Sequence, residues 1–246
     1  MDIQTALSNL PPPNPVLEPA YWDDPDASEG TRRPSASSRG SARASLAVSA
    51  GNRFRMMHVE SSLEYKWAVV FDGLLKPLHL VEQPDVVEYI DFDGFRRTHR
   101  FDFYLQTVSR RRLVEIKPAV KVRKYNLEPK FNHIAAQVSA DRADEVILLT
   151  DEDLCPDAVY NAQLLRSSRR YPAWDIENDI LAAARGADGI VRIRRLIETA
   201  GAEIASGFVA VLSLIDRGLL LVQDEGRITH RSRVAAAEVF PIRKAY

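Results

Sequence analysis

Asp102, Glu115 and Lys117 stand within sixteen residues of one another on two apolar, alternating stretches. Phe101, Phe103 and Leu105 alternate with Asp102 and Tyr104, and Leu113, Val114 and Ile116 are interleaved with Glu115 and Lys117. This alternation reads as two strands, with Phe101, Phe103 and Leu105 on one face and Asp102 and Tyr104 on the other. The same rule puts Glu115 and Lys117 on one face. If the strands pair, the three charged groups converge. Two carboxylates and an ammonium suit Mg2+-dependent phosphodiester hydrolysis: hard oxygen ligands for the metal, and a cation beside the attacking water or the phosphate.

The surroundings are basic. Residues 96–130 hold eleven Lys or Arg against the acids Asp102, Glu115 and Glu128, a local net charge of +8 that reads as a phosphate-binding surface. The whole chain, 246 residues with 46% hydrophobic and a net charge of −1, forecasts no particular partner but can fill one or two cores. The single cysteine, Cys155, excludes an intramolecular disulfide framework and a multi-cysteine zinc site, and it reads as a buried or loop thiol. The five histidines lack metal-ligand spacing; His99, three residues before Asp102, is expected at the surface. No glycine-rich phosphate loop is present, which leaves nucleotide hydrolysis without support. With no membrane-length apolar run and no basic-then-apolar leader, the expectation is a soluble cytoplasmic protein.

Several elements must position these groups. Residues 1–52, with Pro11–Pro13, an acidic patch and a Ser/Arg/Gly/Ala-rich run, read as a disordered tail. Within it Val16–Trp22 could dock on a partner, and Arg32, Arg33, Arg39 and Arg43 could touch nucleic acid. Val59–Leu75 carries a helical pattern with Glu60 and Glu64 one turn apart on one face. Strands are expected at Leu78–Val81, Val86–Asp91, Phe95–Gln106 and Arg112–Lys117, with a hairpin turn at Asp93-Gly94. Leu127–Ala140 and Ala158–Arg169 read as helices and Glu145–Thr150 as a buried central strand. This is an α/β order with a mixed sheet.

After Tyr171-Pro172 come three expected helices, Ile176–Arg185, Gly189–Ala200 and Glu203–Arg217. Short strands Leu219–Gln223 and Arg227–His230 then flank Asp224-Glu225-Gly226. Three helices and a small hairpin form a winged-helix-like pattern. Glu203–Arg217, the reader helix of such a domain, has Arg217 as its only basic residue, which argues against strong major-groove readout. Arg227, Arg231 and Arg233 could still reach phosphate.

The motif order resembles the PD-(D/E)xK, restriction-endonuclease-like nucleases, and more narrowly the TnsA endonucleases that cut DNA within heteromeric transposases. The residues carrying the resemblance are Ser61-Ser62-Leu63-Glu64, Glu82-Gln83-Pro84, Phe101-Asp102-Phe103 and Val114-Glu115-Ile116-Lys117-Pro118, followed by Leu149-Thr150-Asp151-Glu152 and Asn161 with Leu164, Leu165 and Arg166. Phe101 stands where the family usually has proline. The resemblance covers about residues 55–235 and implies a restriction-endonuclease-like mixed central sheet flanked by helices (53–171), followed by a winged-helix-like domain (172–246). It also implies Mg2+, with Mn2+ as a substitute, held by Asp102, Glu115 and the Ile116 carbonyl. Lys117 would orient the attacking water, and Glu64 would complete the site through a metal-bound water, with Glu60 its competitor on the same helix face. Gln83 and Arg100 are plausible neighbours. The implied partners are double-stranded DNA, a TnsB-like transposase subunit and a TnsC-like ATPase regulator. Two other readings stand beside this one: a stand-alone restriction or repair nuclease, and a non-catalytic DNA- or partner-binding module of the same fold.

Overall fold

The computed structural model describes residues 24–32, 43–51, 53–171 and 173–237; the expectations for Val16–Trp22, Arg33 and Arg39 lie outside them. The chain is mixed α/β and divides into two compact units, the change falling between Val159 and Tyr160.

The first unit opens with a hairpin of β1 (Ala44–Ala50) and β2 (Arg53–Val59), paired along their full length. Residues 44–50 are therefore a strand, not part of the expected disordered tail. Leu46 and Val48 alternate inward and are buried, which offsets the ordering cost of an otherwise Ser/Ala-rich run. Gly51 at the turn has φ +63, a conformation that glycine adopts without strain. Asp26 also bridges to Arg55, which lays this part of 24–32 against β2.

Helix α1 (Ser62–Val70) continues into a π-helical turn, Phe71–Leu75, closed by left-handed Lys76. A capping box begins α1: the Ser61 hydroxyl accepts from the Glu64 N–H (3.1 Å) and donates to the Glu64 carboxylate (2.8 Å). Three expected residues, Val59 to Ser61, thus belong to β2 and the cap.

The main sheet has the order β3 (His79–Glu82), β6 (Phe103–Gln106), β7 (Arg111–Ile116) and β8 (Glu145–Leu149). Its first three strands are antiparallel and β8 runs parallel to β7. Between β3 and β6 stands a separate hairpin, β4 (Val87–Ile90) and β5 (Arg96–His99), turning at Gly94 as Asp93-Gly94 predicts. The expected strand Phe95–Gln106 is thus two strands, broken at Arg100–Asp102. The break redirects the side chains: Phe101 packs with Leu113 and Phe131, whereas Phe103 stands edge-on to Phe71. The single shared face for Phe101, Phe103 and Leu105 does not form.

Pro118 ends β7 and leads into a helix absent from the sequence-based expectation, α2 (Ala119–Tyr125). Left-handed Asn126 separates it from α3 (Leu127–Ala135), which ends five residues short of the expected Ala140. Strand β8 is an edge strand, not a central one, and all five of its residues are only half-buried. Among the described residues it pairs with β7 alone.

Helix α4 (Pro156–Ser168) crosses into the second unit. There follow α5 (Trp174–Gly186), β9 (Val191–Arg192), α6 (Ile193–Thr199), α7 (Ile204–Asp216), β10 (Leu220–Val222) and β11 (Arg233–Ala236), the strands ordered β10-β11-β9. The partner of β10 is Arg233–Ala236 and not the expected Arg227–His230, which runs without strand structure. Ile228 turns inward, its N–H donating to the Asn161 side chain (2.9 Å). Glycine lets α7 approach α6: a Cβ on Gly207 would lie 2.5 Å from Ile197 Cγ2. Among the described residues no single helix is long and apolar enough to cross a membrane.

Candidate active site

The site forms where β6 begins and β7 ends. Phe103 pairs with Val114, so the residue before β6, Asp102, stands opposite Glu115. The Asp102 carboxylate accepts the Ile116 N–H at 2.7 Å, taking a position that a ladder carbonyl would hold. Its own carbonyl accepts from Gln83 at the end of β3 (2.9 Å). This substitution of side chain for main chain accompanies the break in the strand just before β6.

Asp102, Glu115 and Lys117 come together as their spacing predicts. Lys117 Nζ lies 2.5 Å from Glu115 Oε1, 3.4 Å from Asp102 Oδ2 and 3.1 Å from the Ile116 carbonyl. The Glu115 side chain is 2% exposed. Burial, then the neighbouring Glu115 charge, push the Asp102 carboxyl up to about 7 against the opposing pull of Lys117. Burial works against the Lys117 charge as well, but Asp102 and Glu115 outweigh it and the ammonium is held above its usual value.

Glu64 faces inward from the first turn of α1 and is buried, beside Trp67 and Ala68 on the packed side of the helix. Desolvation raises its carboxyl, opposed by hydrogen bonds from the Glu60 N–H (2.8 Å) and Ser61 and by the charge of Lys117. Asp102 in turn feels the Glu64 charge. Glu60 points elsewhere: it pairs with Arg32 at 3.5 Å. The helix acid in electrostatic contact with Asp102 and Lys117 is therefore Glu64.

Two neighbours frame the site. Gln83 is buried with a left-handed backbone (φ +44), and its carbonyl accepts from Thr31 (3.2 Å) and from Arg100 (3.2 Å). Arg100 also donates to the Pro84 carbonyl and to Thr31.

Other participants escape sequence reasoning. His99, expected at the surface, has Nε2 2.9 Å from Glu115 Oε2, with its ring edge-on to Phe101 and Phe131. Its place at the end of β5, three residues before Asp102, was the available signal. Beneath Gln83, Glu82 is buried and paired with buried Arg55 (2.9 Å); it also accepts from Ser28 (2.6 Å) and the His58 N–H (3.2 Å). These partners lie 24 to 54 residues apart, so no local pattern announces them.

The basic field is largely neutralised. Arg96 pairs with Glu88, Arg97 with Asp91, Arg110 and Arg112 with Glu145, Arg111 with Asp144 and Arg123 with Glu152. All five of those acids lie outside the window in which the +8 was counted. Lys121, Lys124 and Lys130, on α2 and α3, remain exposed; Lys124 and Lys130 also lie over the Tyr125 and Phe131 rings.

Among the described residues no three His, Cys, Asp or Glu side chains are gathered closely enough to hold a metal by themselves. The donor set is two carboxylates and the Ile116 carbonyl, all within 3.4 Å of the Lys117 ammonium. These are hard oxygens converging on one cation, and together with the raised Asp102 carboxyl they fit a divalent ion of the Mg2+ class completed by water. Cys155 is exposed and takes no part. No protein-family model and no curated protein matches the chain.

Proposed function

We propose that this chain is a metal-dependent DNA endonuclease of the TnsA kind, hydrolysing phosphodiester bonds at transposon ends as one subunit of a heteromeric transposase. A TnsB-like subunit would perform strand transfer and a TnsC-like ATPase would regulate the assembly. The observation that carries this reading is the meeting of Asp102, Glu115 and the Ile116 carbonyl at Lys117 Nζ, where the Asp102 carboxyl is raised to about 7. Such a site is short of positive charge.

Asp102, Glu115 and the Ile116 carbonyl would hold Mg2+, with Mn2+ a workable substitute. When bound, the ion supplies Lewis acidity toward phosphate oxygen and acidifies a water. Lys117 would turn from the carboxylates to orient the attacking water and to offset charge on the phosphate. Glu64 would complete the site by accepting a hydrogen bond from a water.

Two features of the fold support the finer assignment. A mixed sheet with the acids at its strand ends and α1 carrying Glu64 agrees with a restriction-endonuclease-like core. The order helix, strand, helix, helix, strand, strand, from α5 to β11, agrees with a winged-helix-like domain. The TnsA assignment rests on the ordered motifs from Ser61 to Arg166.

Calorimetry with Mg2+ or Mn2+ on wild type and Asp102→Ala tests the site without any partner. Binding by the wild type that disappears in Asp102→Ala is expected. DNA cleavage would then require a TnsB-like partner, whereas a stand-alone nuclease would cut alone. Equal binding by both proteins, or none even with DNA present, would leave the non-catalytic module as the better reading.

A further inference from the structure

We propose that the second unit binds the phosphate backbone of duplex nucleic acid along an arginine edge formed by Arg192, Arg194, Arg195, Arg231 and Arg233. Pairing of β9 with β11 sets Arg192 directly opposite Arg233, so both side chains leave one face of the sheet about 5 Å apart. The Ile193 N–H donates to the Ser232 carbonyl and the Arg194 N–H to the His230 carbonyl, each at 2.9 Å. These bonds stitch the start of α6 to the 230–232 turn and bring Arg194, Arg195 and Arg231 to the same edge. All five arginines are exposed, while Ile193, Leu196 and Ile197 on the other side of α6 are buried.

Charge is segregated here rather than spread. Residues 173–237 contain eight arginines, no lysine and nine acids, yet five of those arginines share this edge. Among the described residues two acids pair with them: Asp224 with Arg233 (2.7 Å) and Glu198 with Arg194 (3.0 Å). Arg233, and secondarily Arg192, hold the Asp224 carboxyl below its usual value, which shows how close the two arginines stand to one carboxylate. Like charges opposite each other on neighbouring strands cost stability, and an ordinary solvent face has no need to carry that cost.

The chemistry selects the partner. Guanidinium forks match phosphate oxygens in a way ammonium groups do not, and a row of them suits successive phosphates better than one isolated anion. A bilayer is disfavoured because the apolar residues of α6 are consumed by the core and cannot insert. Helix α7 is not the contact surface: its sequence is nearly uncharged, and Arg217 at its end is paired with buried Glu177. This inference concerns the second unit alone and does not depend on metal chemistry in the first.

The test uses the full chain, a random-sequence duplex of about 30 base pairs, EDTA to remove divalent ions, and anisotropy titrations from about 50 to 200 mM KCl. Arg192→Gln/Arg195→Gln/Arg231→Gln should lower the slope of log affinity against log salt by about 2 to 3, since each lost phosphate contact removes about 0.9. The corresponding triple lysine variant should keep the slope. An unchanged slope in the glutamine variant, or no binding by the wild type, would overturn the proposal. So would a glutamine variant that loses binding to phosphatidylserine vesicles or polyglutamate but not to the duplex. Loss of metal binding in Asp102→Ala leaves these titrations unaffected, so the two readings fail separately.

Discussion

Lys117 balances buried Glu115 and half-buried Asp102 with one positive charge, and the shortfall falls on Asp102. Its raised carboxyl is a statement about stability. Between the ordinary aspartate value of 3.8 and about 7, folded Asp102 keeps a proton that the unfolded chain has already lost. The folded state binds more protons in that window, so stability falls as pH rises through it and the full cost is present above about 7. Asp102→Asn removes the titration. Without divalent metal, urea unfolding should show this variant gaining on the wild type between pH 4.5 and pH 8, with a difference on the order of a few kcal/mol at the upper end. Parallel pH profiles for the two proteins would show that Asp102 does not titrate in this way. Adding Mg2+ at pH 8 should restore stability to the wild type and not to the variant. At this scale the sequence was informative. Asp102, Glu115 and Lys117 meet because the short β6–β7 connection fixes the register, although the face that alternation assigns to Phe101 does not form. It missed His99 and the Arg55–Glu82 pair because those contacts depend on how separate segments dock, and a histidine three residues before Asp102 looks like any surface histidine.

Elements were legible where apolar periodicity was strong and obscured where composition misled. β6, β7 and the Asp93-Gly94 hairpin followed from alternation and turn chemistry, but β1 was hidden in a serine- and alanine-rich run whose only apolar signal is Leu46 and Val48. β8 read as central because Val146, Ile147, Leu148 and Leu149 are all apolar; it is an edge strand whose residues are half covered. Arg227–His230 reads as a strand because it follows a turn signal, yet its Ile228 N–H goes to Asn161, and β10 takes a partner six residues further on. The β1 result carries a direct test. Leu46 is 6% exposed against β2, so Leu46→Ala should destabilise the chain by about 2 to 5 kcal/mol in chemical denaturation, the usual cost of such a truncation. A disordered tail would leave the midpoint unchanged.

At the scale of the whole molecule, two units each have their own sheet and core, and α4 is the element whose allegiance decides where one ends. Composition places the change at Tyr171-Pro172, since a proline after a helix is a natural boundary. Beyond Val159, however, α4 and the residue after it bond to other parts of the second unit. Asn161 donates to the Gly226 carbonyl and accepts from the Ile228 N–H, both at 2.9 Å, and Arg169 forms a two-pronged pair with Asp216 at 2.8 and 3.0 Å. A fragment beginning at residue 172 loses all of these and leaves Asp216, 12% exposed, without its guanidinium. Removing one partner of a pair so enclosed is costly because the remaining charge stays desolvated. A fragment of residues 156–246 should therefore unfold cooperatively, and one of residues 172–246 should melt at a clearly lower temperature or fail to show a transition. Equal melting temperatures would mean that α4 contributes nothing to the second unit and that the proline marks the working boundary.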